Sequence, residues 1–214
     1  MRIFNLAQVF GEYNMVIMTQ KRINKINTVI SQRQQGIVVF EDIYDPHNAA
    51  AVLRTMDGFG FQTAYFIFDK RQKYSPRQVG RVSSSSANKW LTIKSFATSR
   101  ECMEELKRDG YTTYATHLYP ERQIDLYTPS LPTLGPRIGL IFGNEHSGVS
   151  EFISSQSDYH LHIPMAGFVE SFNISVCAAL VLGEITRKRT VDGMEKYLLT
   201  EAEQARLKTQ WMTT

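Results

Sequence analysis

Short apolar runs alternate along the chain with longer amphipathic ones. Six segments are brief, rich in β-branched or aromatic residues and bounded by turn formers: 36–41, 64–68, 90–93, 111–116, 138–142 and 159–163. Each predicts a strand. Helical spacing fills the intervals, over 48–59, 99–108, a short stretch after Ser150, and 171 to about 189. Thr98 with Glu101, and Thr200 with Glu203, stand in capping-box spacing at the starts of the second of these helices and of a C-terminal one. A further helix is expected over 18–32. Strands that alternate with helices imply an α/β fold, a mostly parallel sheet with helices on both faces and with ligands at the carboxyl ends of the strands. There is no internal repeat, and the one low-complexity patch, Ser83 to Ser86, reads as a mobile loop.

With 214 residues, 43% hydrophobic and 21% charged, the chain suits one globular domain with terminal additions. No apolar run approaches the roughly 18 residues of a membrane span, and the opening MRIFNLAQVFGEYN lacks the order of a secretory signal, so a cytoplasmic protein is expected. Cys102 and Cys177 fall in separate predicted helices, which argues against a disulfide framework or a thiolate metal site.

Charge adds a further clue through its placement. Residues 1–35 hold Arg2, Lys21, Arg22, Lys25 and Arg33 against Glu12 alone, and residues 187–214 hold six basic against four acidic side chains, whereas the body between them is slightly acidic. Basic ends would hold a polyanion such as RNA through salt-sensitive phosphate contacts; solvated helix faces explain them as well. The expected organisation is a basic helical extension (1–35), the α/β domain (36–189) and a C-terminal helical extension (190–214).

Three loops at strand ends carry the candidate chemistry. In EDIYDPHNAAAVLRT, Pro46 forbids continuation of the strand and Asn48 is placed to cap the helix that follows. That helix opens with the apolar run Ala49 to Leu53, expected to be buried, and then carries Arg54, whose guanidinium must find an anion or reach solvent. A salt bridge to a nearby carboxylate and a functional contact would both satisfy it. In GLIFGNEHSGVS a strand runs into Gly143, Asn144, Glu145 and Gly148 before a helix capped by Ser150. The glycines permit a sharp turn and close approach to a ligand, yet the pattern is neither a Walker loop nor a dinucleotide fingerprint. In IPMAGFVESFNIS an apolar strand breaks into a polar loop before a second apolar run. His47 and His146 adjoin these loops and are possible general bases, while His160 and His162, alternating on a strand without cysteine partners, do not suggest a metal site.

Taken together, DPHNAAAVLRT, IFGNEHSG and IPMAGFVESFNISVCAAL resemble the three successive motifs of the SpoU branch of the SPOUT-class RNA ribose methyltransferases, in order and over about residues 36–189. ATHL at 115–118 and the tail LLTEAEQARL are similar to the TrmH subgroup, which methylates the 2′-hydroxyl of the D-loop guanosine of tRNA. The resemblance implies a C-terminal trefoil knot, a rare exception to unknotted topology, a homodimer, and S-adenosylmethionine held by the three knot loops. It places Thr116, Ile163 and Phe172 at the cofactor, with Gly143 and Met165 as neighbours. In similar enzymes the arginine matching Arg54 is proposed to accept the hydroxyl proton. A guanidinium, with a pKa above ~12, is a reluctant base, and positioning an RNA phosphate and stabilising the developing alkoxide is the physically easier role. Asn48 would orient Arg54, and Glu145, Ser171 and Asn173 would complete the polar wall. Plain helix capping by Asn48 and Ser171 is compatible with these roles. No metal and no membrane partner is implied. Phe172 stands where leucine is usual, Glu170 where glutamine is frequent, and the serine run 83–86 replaces a stretch that commonly contains glycine. The alternatives are a relative acting on ribosomal RNA or on another tRNA position, and a catalytically weak RNA-binding dimer of the same fold.

Overall fold

A computed structural model of the chain describes residues 19–70, 74–76, 87–116, 123–128 and 135–213. In chain order its elements are α1 (Gln20–Ile30), β1 (Gln34–Glu41), α2 (Pro46–Phe59), β2 (Phe61–Ile67), α3 (Ala87–Trp90), β3 (Thr92–Phe96), α4 (Ser99–Arg108), β4 (Thr112–Thr116), β5 (Gln123–Asp125), β6 (Ile138–Phe142), α5 (Glu151–Gln156), β7 (Tyr159–His162), α6 (Ile174–Asp192), a 3₁₀ turn (Met194–Tyr197) and α7 (Glu201–Met212). The strands form one seven-stranded sheet in the order β3-β2-β1-β6-β4-β7-β5. Every pairing is parallel.

Alternate residues of the strands serve opposite faces, as the two-residue period requires. Val38 and Phe40 of β1, Ala64 and Phe66 of β2, and Leu140 and Phe142 of β6 pack on α2 and α6 through Val52, Leu53, Met56, Ala178, Val181 and Leu182. Ile37, Val39, Tyr65, Ile67 and Ile141 face the other way, onto Cys102, Met103 and Leu106 of α4 and Ile153 of α5. Burial on both faces explains why β1 and β6 read as continuous apolar runs.

Several boundaries differ from expectation. Trp90 does not open a strand: it ends α3 and packs edge-on against Trp211, with ring centroids 5.2 Å apart, and β3 begins two residues later. β5 was not expected; its residues Gln123, Ile124 and Asp125 alternate polar and apolar over a single turn of pattern and are organised by main-chain pairing with β7. Asn48 does not cap α2. Asp45 does, accepting from the His47 amide, with Pro46 at the first helical position where a missing N–H is harmless. Nor does Ser171 begin α6: Asn173 is its cap, accepting from the Ser175 amide. Ala51 of the apolar run is exposed although Ala49, Ala50, Val52 and Leu53 are buried. The capping box at Thr200 and Glu203 is complete. At Thr98 only half of one forms, since the Glu101 carboxylate turns to the Ala97 amide instead. Cys102 and Cys177 lie in α4 and α6 with free thiols. Met18, the serines 83–86, and His117 with Leu118 of the ATHL motif lie outside the described residues.

Both terminal helices pack on each other. Ile26 and Ile30 of α1 meet Leu199, Leu207 and Trp211 in a separate apolar cluster. Two of the basic side chains counted at the ends are buried here and do not face solvent. Arg33 pairs with Asp57 of α2 and lies 5.3 Å above the Trp211 ring. Arg189, fully buried near the end of α6, donates to Gln34 Oε1 and the Gln35 carbonyl, both at 2.7 Å, and to the Gly135 carbonyl at 2.9 Å. Its guanidinium lies between the rings of Phe61 and Tyr197. These described partners are neutral, and burial pushes the Arg189 pKa down to about 10 against a smaller opposing pull from Tyr197.

Arg189→Ala would leave those buried acceptors unmatched and open a void, so a loss of about 3 kcal/mol or more is expected, read from the denaturant midpoint. An unchanged midpoint would show that α6 is held to β1 by other means.

Candidate active site

The parallel sheet brings the carboxyl ends of β1, β6, β4 and β7 to one edge, and the loops 42–45, 143–150 and 163–173 converge there. Beneath them Phe40 lies against Phe66 and Phe142, with centroids at 4.8 and 6.3 Å. The first loop begins at Asp42, which holds the left-handed conformation (φ 50°). That conformation is fixed from several sides: its carboxylate accepts from the Asp69 and Lys70 amides and its carbonyl from Asn144 Nδ2 at 2.7 Å. Just before it, the buried Glu41 carboxylate accepts from the hydroxyls of Ser99 and Ser150 and from the Ser150 amide, each at 2.6 Å, which joins the starts of α4 and α5 to the end of β1.

The second loop closes on itself through reciprocal main-chain bonds between Asn144 and Gly148, both 2.9 Å. Asn144 Oδ1 also accepts from the His146 amide. A Cβ at position 143 would fall 2.0 Å from the Gly148 carbonyl carbon and 2.1 Å from the Val149 nitrogen, so this closure requires glycine.

Between the second and third loops lies a cavity of about 340 Å³, within the range of small-ligand sites. Thr116, Gly143, Ile163, Met165 and Phe172, the five residues expected at a cofactor, all line it, and so do Glu145 and Ser171. Leu161 and Ile174 supply apolar wall, while loop main chain and the side chains of Glu145, His146 and Ser147 supply the polar edge. Such a lining fits a ligand with a flat heteroaromatic part and a charged tail. The Thr116 hydroxyl donates to the Ile141 carbonyl across the strands.

A second cleft adjoins the first, with Glu145 and His146 common to both, and Asn48 and Asn173 line it. Here the expected polar residues are linked directly. Asn173 Nδ2 donates to Asn48 Oδ1 (3.2 Å), and Asn48 Nδ2 donates to Glu145 Oε1 (3.0 Å). Glu145 also accepts from the Tyr44 amide at 2.8 Å and the Asp45 amide at 3.1 Å. Burial works against its charge, but the bonds from Asn48, Tyr44 and Asp45 outweigh it and hold the carboxyl below the ordinary glutamate range. One carboxylate thus ties the second loop to the first, and Asn48 extends the tie to the start of α6.

Arg54 is not part of this cluster. It is exposed on α2, six residues beyond Asn48 and on another side of the helix, lines neither cavity, and forms no ion pair or hydrogen bond among the described residues. Neither a structural salt bridge to it nor orientation by Asn48, whose amide is engaged with Glu145 and Asn173, is present among them. His47 lines neither cavity, whereas His146 lines both. His162 lines the first and His160 is buried near Ser154. The described residues hold no cluster of side chains able to bind a metal ion, and no helix among them is long and apolar enough to cross a membrane. Sequence reasoning named Asn144 in its loop without giving it a role, and assigned none to Asp42 or Tyr74. An asparagine between a strand and a glycine turn is the sort of signal that could have flagged the first; the other two depend on contacts distant in sequence.

Comparison with known proteins agrees with this fold. The chain is 30% identical over 198 residues to the tRNA (guanosine(18)-2′-O)-methyltransferase of Escherichia coli strain K12, covering 89% of this chain and 81% of that one. It is 32% identical over 186 residues to the enzyme of the same name from Thermus thermophilus, covering 82% and 87%. The crystal structure of the A. aeolicus TrmH/SpoU tRNA modifying enzyme superposes with a TM-score of 0.73 at 27% identity, over 90% of this chain and 95% of that one. Residues 35–183 match the model of the SpoU rRNA Methylase family, a span that includes all three converging loops, and the chain therefore belongs to that family.

Proposed function

We propose that the protein is an S-adenosylmethionine-dependent methyltransferase that modifies a ribose 2′-hydroxyl of tRNA, guanosine 18 of the D-loop. The observation that carries this reading is the continuity of two clefts across Glu145: one has the lining expected for the cofactor, and the other opens at the Asn48 and Asn173 pair. The names of the relatives above support the substrate and the position.

S-adenosylmethionine supplies an electrophilic methyl group on a sulfonium, so a metal is not needed for its transfer. The protein's task is to hold the hydroxyl in line and to accommodate the proton it loses. Glu145 is poorly suited to take that proton, because its carboxylate is engaged by Tyr44, Asp45 and Asn48 and held in the charged form. Asn48 and Asn173 are engaged as well. These three position the loops. Ser171, exposed at the cavity edge, remains available to the ribose, and Arg54 to an RNA phosphate and the developing alkoxide.

Arg54 reaches a reaction centre most simply across a homodimer, since it lies outside the clefts of its own protomer. α6 supports such a pairing: apart from Ser175 its first half, Ile174 to Leu182, is apolar on every side, and Val176 (45%) stays exposed, as do Phe172 (39%) and the fully exposed Phe168 just before the helix. Soluble helices with that pattern are ordinarily covered. In this reading the segment from β6 to α6 is threaded as a trefoil knot, which the insertion of β6 between β1 and β4 and the return of α6 onto α2 support. The packed terminal helices carry Lys21, Arg22, Lys25, Arg206 and Lys208 on exposed positions, a surface suited to tRNA phosphates. These extensions, 1–35 and 190–214, serve substrate binding, and residues 36–189 serve catalysis. A tRNA substrate is consistent with the cytoplasmic location expected from the sequence.

Methyl transfer from labelled S-adenosylmethionine to unmodified tRNA transcript, mapped by nuclease digestion and mass spectrometry, should yield 2′-O-methylguanosine at position 18. Incorporation only into ribosomal RNA, or none at all, would refute this assignment. Arg54→Ala should lower turnover about a hundredfold or more with cofactor affinity nearly unchanged by calorimetry; full activity would remove Arg54 from the mechanism. Gly143→Ala should weaken cofactor binding about tenfold or more, because the closed loop cannot admit the methyl group without opening. Wild-type affinity in that variant would place the cofactor elsewhere.

A further inference from the structure

The second cleft has a side that the methyl-transfer chemistry leaves unused. Besides Asn48 and Asn173 it is lined by Tyr44, Asp45, Tyr74 and His146. Tyr74 is set by an edge-on contact with Phe68, ring centroids 5.0 Å apart. Its hydroxyl is buried and has no hydrogen-bond partner among the described residues. A buried hydroxyl without a partner costs about 1–3 kcal/mol, and a ligand that accepts from it would relieve that cost. Burial first, and then the charges of Glu145 and Asp45, push the Tyr74 ionisation upward, so the group remains a donor. Asp45 uses Oδ1 to cap α2 through the His47 amide at 2.8 Å, and its Oδ2 takes no hydrogen bond among the described residues. Tyr44, 58% exposed with its ring 6.0 Å from that of His146, offers aromatic surface at the mouth.

A hydroxyl donor and a carboxylate acceptor lining one cleft, next to aromatic surface, complement a nucleobase edge that presents a carbonyl beside an N–H. Guanine has that edge in O6 and N1–H. Adenine presents an amino group beside an unprotonated ring nitrogen, which would face the Asp45 carboxylate acceptor to acceptor. We propose that this cleft is the base subsite of the substrate nucleotide, in which the Tyr74 hydroxyl donates to guanine O6 and the Asp45 carboxylate accepts from N1–H. The subsite rests on the ribose methyltransfer reading, because a ribose at the Asn48 and Asn173 pair would carry its base into this cleft. It requires the base to leave its stack, as sequence-specific recognition of RNA generally does.

The test compares kcat/KM on tRNA transcripts with guanosine or adenosine at position 18 for the wild type, Tyr74→Phe and Asp45→Asn, with cofactor affinity measured in parallel. Asp45→Asn keeps the helix cap while removing the acceptor-only charge. The wild type should favour guanosine by about tenfold to a hundredfold. Tyr74→Phe should lower kcat/KM on guanosine about tenfold, and Asp45→Asn should reduce the guanosine-to-adenosine ratio by a similar factor, both with cofactor affinity unchanged. If the wild type methylates position 18 but both variants keep its ratio and rate, or if the wild type accepts both bases equally, the subsite is overturned while the methyltransferase assignment stands. Loss of cofactor binding in both variants would make the residues structural and overturn it too. A wild type that methylates no tRNA ribose would overturn both proposals together.

Discussion

The parallel pairing of β1 with β6 is the contact on which the rest of the site depends. It joins Ile37 through Phe40 to Gly139 through Phe142, a hundred residues apart in the chain, and sets the first two functional loops side by side. Glu145 then converts adjacency into a fixed geometry by accepting amides from one loop on a side chain of the other. Because both strands are buried on two faces, a register slip would exchange the residues meeting α2 and α6 for those meeting α4 and α5, a change the core cannot absorb. The position of the carboxylate is thus inherited from the core.

Charged side chains are buried or half-buried repeatedly in this molecule, and each is matched by polar groups or an opposite charge of the scaffold. Glu41 takes hydroxyls and an amide, Asp42 takes amides, Glu145 takes amides and a carboxamide, and Arg189 gives to carbonyls and a carboxamide. Such pairings avoid the desolvation penalty of an isolated charge and fix the places where helices start or end. They also consume functional capacity: a carboxylate that is fully engaged is a positioning group and a poor base. Of the groups with capacity to spare, the Tyr74 hydroxyl is buried in the second cleft, the Ser171 hydroxyl stands at the edge of the first, and Arg54 is exposed away from both. Chemistry on a bulky RNA from such a site calls for groups at the rim, where substrate arrives.

Much of the fold was legible because it follows from periodicity. The apolar runs at β1 and β6, the glycine-bounded loop at 143–148 and the capping residues Thr200 and Ser150 all announce themselves locally. Where local signals failed, a distant contact had intervened. Trp90 reads as strand but is drawn into a helical turn under Trp211, and β5, three residues with Ile124 alone apolar, is too short to announce its alternation and is organised by its pairing with β7. Asn48 has the residue type of a cap, yet Asp45 reaches the first turn and leaves Asn48 for Glu145.

The sequence by itself determined the alternation of strands and helices, the three motif loops and their order, and the residue types available at the site, since propensity, turn chemistry and spacing are properties of short segments. Tertiary structure alone decided which polar groups meet. The Glu145, Asn48 and Asn173 chain joins residues separated by about a hundred positions or more, and Arg54, near Asn48 in sequence, is turned away from it by the pitch of α2. The reason is geometric. A hydrogen bond needs donor and acceptor within about 3 Å, and only the packed sheet, which fixes the loop ends in space, sets separations on that scale.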